Sequence, residues 1–184
     1  MTTTEREQVN LDALRNTIAA VTDDRTLGKV EFTVRGQWDG GLRLESTTGP
    51  LRQAGAEQGQ RSGRFTMTSD EPTELLGSDT AASPAEYVLK ALAGCYTVTL
   101  AANAAARGIS LNSVQLALQA HIDLAGFLGI DDAVRPGIQA IRVDVTLDSD
   151  AAREEEEELI RVVTQRSPIR DTLIAGTAIE TVLL

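Results

Sequence analysis

At 184 residues, with 42% hydrophobic and 24% charged residues, the chain has the composition of one globular domain and not of a disordered segment. A net charge of −10 with no block of Lys or Arg argues against nucleic acid and anionic membranes as partners, because phosphate binding needs clustered cations. One cysteine allows no internal disulfide and points to a reducing, cytoplasmic setting, and the start MTTTEREQVN has neither the basic end nor the apolar stretch of a secretory signal.

Residues 5–22 place Leu11, Leu14, Ile18 and Val21 on one face of an amphipathic helix, read as a helical extension over 1–22 ahead of a main domain over 23–184. Residues 28–46 alternate on either side of Asp39-Gly40-Gly41, which predicts a hairpin. The Gly-, Gln- and Thr-rich stretch 47–61 reads as a loop, 63–69 as a third strand, and 70–82 as irregular. Ser83, Pro84 and Glu86 then supply an N-cap, a first-turn proline and the partner of a capping box, predicting a long helix from Ser83 to about Arg107, closed by Gly108. This segment is rich in Ala and carries Lys90 and Asn103, so it reads as a buried core helix and not a membrane span. Strands over 111–122 and 138–147 follow, then a helix over 151–165 capped by Asp148-Ser149-Asp150. A short helix begins at Ser167-Pro168, and the terminal TAIETVLL reads as a strand. The order specifies an α+β domain.

Several kinds of chemistry leave no trace. No glycine-rich loop matches a phosphate or dinucleotide cradle, so no cofactor is expected. His121, the only histidine, stands in a strand pattern without an acid or cysteine at metal-ligand spacing, which assigns it a structural role and leaves no metal site. The run Glu154–Glu158 reads as a solvated helix face whose charge suits the start of a helix.

The segment SPAEYVLKALAGCYTVTLAANAAARGI, residues 83–109, resembles the OsmC/Ohr family of organic hydroperoxide reductases. RSPIRDTL, residues 166–173, looks like the Cys-Pro-Val motif of that family, and the order of elements agrees over about residues 28–184. The resemblance implies an OsmC-like fold, with antiparallel sheets around a long buried central helix in an intertwined homodimer whose active sites lie at the subunit interface. It also implies a peroxide-attacking cysteine, which falls on Cys95, activated by an arginine and an acidic residue. Arg64, in SGRFTM, matches the arginine, with Arg35 and Arg43 in reserve, and Glu86 is the acidic candidate.

Two positions depart from the family pattern. The second cysteine, which resolves the oxidised first one as a disulfide, is Ser167, and the usual acid position is Ala85. On a straight helix Glu86 lies about 180° from Cys95, and it also has the capping box to close. Ser167 has a sufficient task as an N-cap, and Cys95 has mostly apolar helical neighbours in Ala91, Leu92 and Val98. The expected activity is therefore that of a single-cysteine peroxidase, reducing organic hydroperoxides and recycled by an external thiol. The rival expectation is a non-catalytic relative binding a small apolar ligand in the dimer-interface pocket.

Overall fold

A reciprocal capping box starts the longest element. In the computed structural model, which describes residues 8–183, the Glu86 amide donates to the Ser83 hydroxyl at 3.2 Å and the Ser83 amide donates to the Glu86 carboxylate at 2.8 Å. The helix, α2, runs Pro84–Ala106. It ends where Gly108 takes a left-handed φ of 72°. The Gly108 and Ile109 amides then bond back to the Ala105 and Ala104 carbonyls, which is a Schellman closure. Leu92, Tyr96, Leu100 and Ala104, spaced by fours, form its buried stripe.

The chain folds as two compact units whose boundary falls inside α2: one is Asp12–Tyr87, and the other begins at Val88 and includes residues 8–11. In the second of these, β7 (Leu111–His121) and β8 (Ala140–Ser149) form an antiparallel pair registered from Leu111↔Ser149 to His121↔Ala140. Alternate residues face inward, so Leu116, Leu118, Ile141 and Val143 pack on the α2 stripe. A four-residue helix, α3 (Leu124–Phe127), opens the connection between the strands, its N-cap Asp123 accepting from the Ala125 amide. Two helices follow, α4 (Arg153–Arg166) and α5 (Pro168–Ala175). Val163 of α4 joins Leu92, Tyr96 and Leu100, while Leu159 joins Ala104 and Ile109.

The other unit holds α1 (Leu11–Asp23) and six short strands: β1 (Val30–Glu31), β2 (Val34–Trp38), β3 (Leu44–Thr48), β4 (Leu51–Gln53), β5 (Ala56–Gln58) and β6 (Thr66–Ser69). They make two antiparallel sheets, ordered β1-β4-β5 and β2-β3-β6. Between β6 and α2 the chain loops around one carboxylate. Asp70 is fully buried and accepts from the amides of Glu71, Ser78 and Thr80 and from the Thr80 hydroxyl. Burial pushes its carboxyl upward, yet the bonds from Thr80, Glu71 and Ser78 outweigh that and hold it below its ordinary value. The Asp70 amide and Ala82 carbonyl close the loop at its base. Gly77 passes so near the Glu71 backbone that a Cβ would overlap it.

Three expectations differ from the structure. Residues 47–61 contain a second hairpin, β4–β5, turning at Ala54 and Gly55 with φ of 51° and 81°. The pair Asp148 and Asp150 does not cap α4, whose N-cap is Ala152 with Glu155 accepting from its amide. Asp150 instead receives the Ser110 amide, and Ser149 receives the Ala151 amide and donates to Glu156. The terminal segment 177–183 is not a strand, and residue 184 lies outside the described residues, as do residues 5–7 of the expected first helix. The core-helix reading of α2 agrees with the structure: it is long and apolar enough to cross a membrane by length and composition, but its stripe of Leu92, Tyr96 and Leu100 is buried in the core.

Candidate active site

Cys95 lies midway along α2, half-buried, one residue before the core residue Tyr96. The helical period turns its side chain off the buried stripe but keeps it adjacent to Leu92 and Tyr96. Its backbone carbonyl is occupied twice over in the helical sense, because the Thr99 hydroxyl also donates to it at 2.8 Å. The sulfur has one partner among the described residues: the Ser167 hydroxyl donates to Cys95 Sγ at 3.2 Å.

Ser167 reaches that position because it belongs to two helices at once. It ends α4, donating its amide to the Val163 carbonyl at 3.0 Å, and it caps α5, its hydroxyl accepting from the Arg170 amide at 3.4 Å. Pro168 suits the first position of α5, where no amide hydrogen is needed. Arg170 folds back so that Nη1 donates to the Thr164 carbonyl at 2.7 Å, tying the two helices together at this corner. Only 1% of Ser167 is exposed. The N-cap expectation for Ser167 therefore holds, but it missed the second task of the same hydroxyl. The available signal was the resemblance of RSPIRDTL to the family's Cys-Pro motif, which implies a position for residue 167 near Cys95.

The remaining site candidates lie in the Asp12–Tyr87 unit. Arg64 stands in an exposed bend before β6, its guanidinium 5.3 Å from the Phe65 ring centre, with Arg61 at 5.0 Å on the same ring. Such cation–π contacts hold both arginines near one aromatic face. Arg35 pairs with Thr47 across the β2–β3 ladder, and Arg43 makes an ion pair with Asp39 at 3.2 Å in the hairpin turn. Glu86 is engaged in the capping box with Ser83. Beside that box lies a shallow pocket of about 250 Å³, lined by Leu44, Met67, Pro84 and Tyr87 among others, where the Tyr87 hydroxyl donates to the Thr68 carbonyl.

His121 ends β7, exposed, opposite Ala140. The glutamate run is largely exposed on α4, where Glu157 pairs with Arg153, and Glu158 with Arg161 and Arg107. Among the described residues no three His, Cys, Asp or Glu side chains gather as a metal site.

The family model for OsmC-like proteins matches residues 77–182, 106 of the 184 residues and so more than half of the chain. No curated protein matches the sequence. Among solved structures, an OsmC-like protein from Mycoplasma pneumoniae is 20% identical over 81% of this chain and 89% of its own, with a TM-score of 0.59. An organic hydroperoxide resistance protein, OsmC, from Legionella pneumophila is 15% identical over 79% of this chain and 90% of its own, with a TM-score of 0.52. The organic hydroperoxide resistance protein OhrB of Bacillus subtilis is likewise 15% identical over 79% and 92%, with a TM-score of 0.51. At these identities the likeness establishes a common fold, and with the family match it settles the lineage: the chain belongs to the OsmC-like protein family.

Proposed function

We propose that this chain is a single-cysteine thiol peroxidase for organic hydroperoxides. The observation that carries the reading is the Cys95–Ser167 contact: a half-buried sulfur on the long helix receives a buried hydroxyl from the Ser-Pro corner at 3.2 Å. The resemblance puts the attacking and resolving sulfurs of the family at these two positions. In the proposed reaction the Cys95 thiolate attacks the distal oxygen of the hydroperoxide, an S–O bond forms and the O–O bond breaks. The departing alkoxide takes a proton and leaves as an alcohol, while Cys95 is left as a sulfenic acid. An outside thiol then displaces water to give a mixed disulfide, and a second thiol releases Cys95 with formation of the external disulfide.

Arg64 is proposed to hold the thiolate and the charge developing on the departing oxygen, and Glu86 to orient that arginine. Both assignments rest on the family resemblance. The homodimer and the central placement of α2 belong to the same proposal. They are supported by the apolar surface that α2 leaves uncovered in one chain, such as Val98, 69% exposed. The division into an extension over 1–22 and a main domain over 23–184, and a cytoplasmic location, are proposed on the same footing.

The test is chemical trapping. Reduced protein is treated with stoichiometric cumene hydroperoxide and a sulfenic-acid probe, and its intact mass is measured. We expect one adduct within minutes, absent from Cys95→Ser. Wild-type protein that stays unmodified ends the peroxidase reading. The pocket lined by Leu44, Met67, Pro84 and Tyr87 favours the second reading, a binder of a small apolar ligand. That reading gains if Cys95 is inert while an apolar fluorescent probe is retained.

A further inference from the structure

Every bond to Ser167 constrains where its proton can go. Its amide is spent on the Val163 carbonyl and its carbonyl accepts from the Asp171 amide. The hydroxyl oxygen accepts from the Arg170 amide. Its neighbours fix the backbone, since Val163 is in the core and Ile169 packs against the same Leu92, Tyr96 and Leu100 cluster. Burial removes water as a competitor. The hydroxyl proton has one acceptor among the described residues, Cys95 Sγ. A hydroxyl with one acceptor site already filled by a helix-start amide is polarised toward donation.

We propose that Ser167 is a positioning residue for Cys95: its buried hydroxyl, fixed at the α4–α5 corner, aims a proton at the cysteine sulfur, directs the sulfur's free lone pairs and stabilises the attacking anion. This extends the peroxidase reading and rests on it for the identity of the reaction. The same oxygen cannot close a disulfide, so Ser167 keeps the site of a resolving thiol occupied while leaving oxidised Cys95 to an outside thiol.

Two arms test it, the first independent of peroxide chemistry. In Ser167→Cys the new sulfur replaces an oxygen 3.2 Å from Cys95 Sγ, so diamide, accepting two electrons and two protons, should convert the pair to a disulfide. We expect intact mass to fall by two hydrogens and labelling with N-ethylmaleimide to vanish. Two free thiols after diamide would overturn the juxtaposition. In the second arm, the thiolate absorbance at 240 nm lost on alkylation and the rate of reaction with iodoacetamide are measured at pH 8. Ser167→Ala should lower both, the rate by about tenfold, and Ser167→Thr, which keeps the hydroxyl, should restore them to within about twofold.

A Ser167→Ala protein that melts lower but keeps the wild-type absorbance and rate would reduce Ser167 to a helix cap and overturn the proposal. If Ser167→Ala does not fold, the diamide result decides alone. Both arms positive with wild-type Cys95 inert to cumene hydroperoxide would support the Ser167 role and sink only the peroxidase reading.

Discussion

Two carboxylates and one leucine show how single side chains set this fold. Asp70 and Glu86 are both occupied by backbone amides, Asp70 inside its loop and Glu86 across the start of α2. Asp70 titrates below its ordinary value of 3.8, so its contribution to stability is present above that value and is lost as pH falls toward the lowered one. Thermal melting followed between pH 6 and pH 2 should show a steep acid arm in wild type and a shallower one in Asp70→Asn, which starts lower at pH 6. Parallel curves would mean that Asp70 does not carry this dependence. Leu159 makes the apolar counterpart: it is 0% exposed and packs between Ala104 and Ile109. Leu159→Ala should cost about 2–5 kcal/mol in denaturant unfolding, the transfer loss plus the cavity.

The elements divide by how locally their causes act. α2 was legible because its start and stop are written in adjacent residues: Ser83, Pro84 and Glu86 at one end, Gly108 at the other. β7 and β8 were legible because inward positions alternate with polar ones along both strands. The β4–β5 hairpin was not, since its strands are three residues long and Arg52, Glu57 and Gln58 give no apolar alternation. Its only signal was Ala54-Gly55, a turn pair with a weak signature. TAIETVLL failed in the opposite sense. It has the residues of a strand, but a strand is defined by a neighbour, and 177–183 have none among the described residues. The contact between Cys95 and Ser167 joins residues 72 positions apart, so no local pattern encodes it. Only the family resemblance links the two motifs, with an oxygen at Ser167 where the family pattern has a sulfur.

On the scale of the whole molecule, the largest unsettled account is apolar surface. Ile18 on α1, Val98 on α2 and Ile179 near the C-terminus are all more than half exposed. The proposed homodimer predicts a solution mass of about twice 19.6 kDa by sedimentation equilibrium. The same proposal assigns the apolar stripe of Leu11, Leu14, Ile18 and Val21 to that association, and deleting residues 1–22 is then expected to change the mass. An unchanged mass would count against a role for the extension in assembly.

The division inside α2 also bears on the chain's birth. Asp12–Tyr87 is one continuous run, whereas the other unit needs residues from before Asp12 and from Val88 onward, and Gln8 already bonds to the Leu111 carbonyl. A ribosome therefore makes every strand of the two small sheets before it makes Cys95, and the first unit can acquire its structure while the second is still being synthesised. Ser167, the partner of that thiol, is made 72 residues later. Through that interval the nascent chain carries an unpartnered sulfur, and the α4–α5 corner is what ends it.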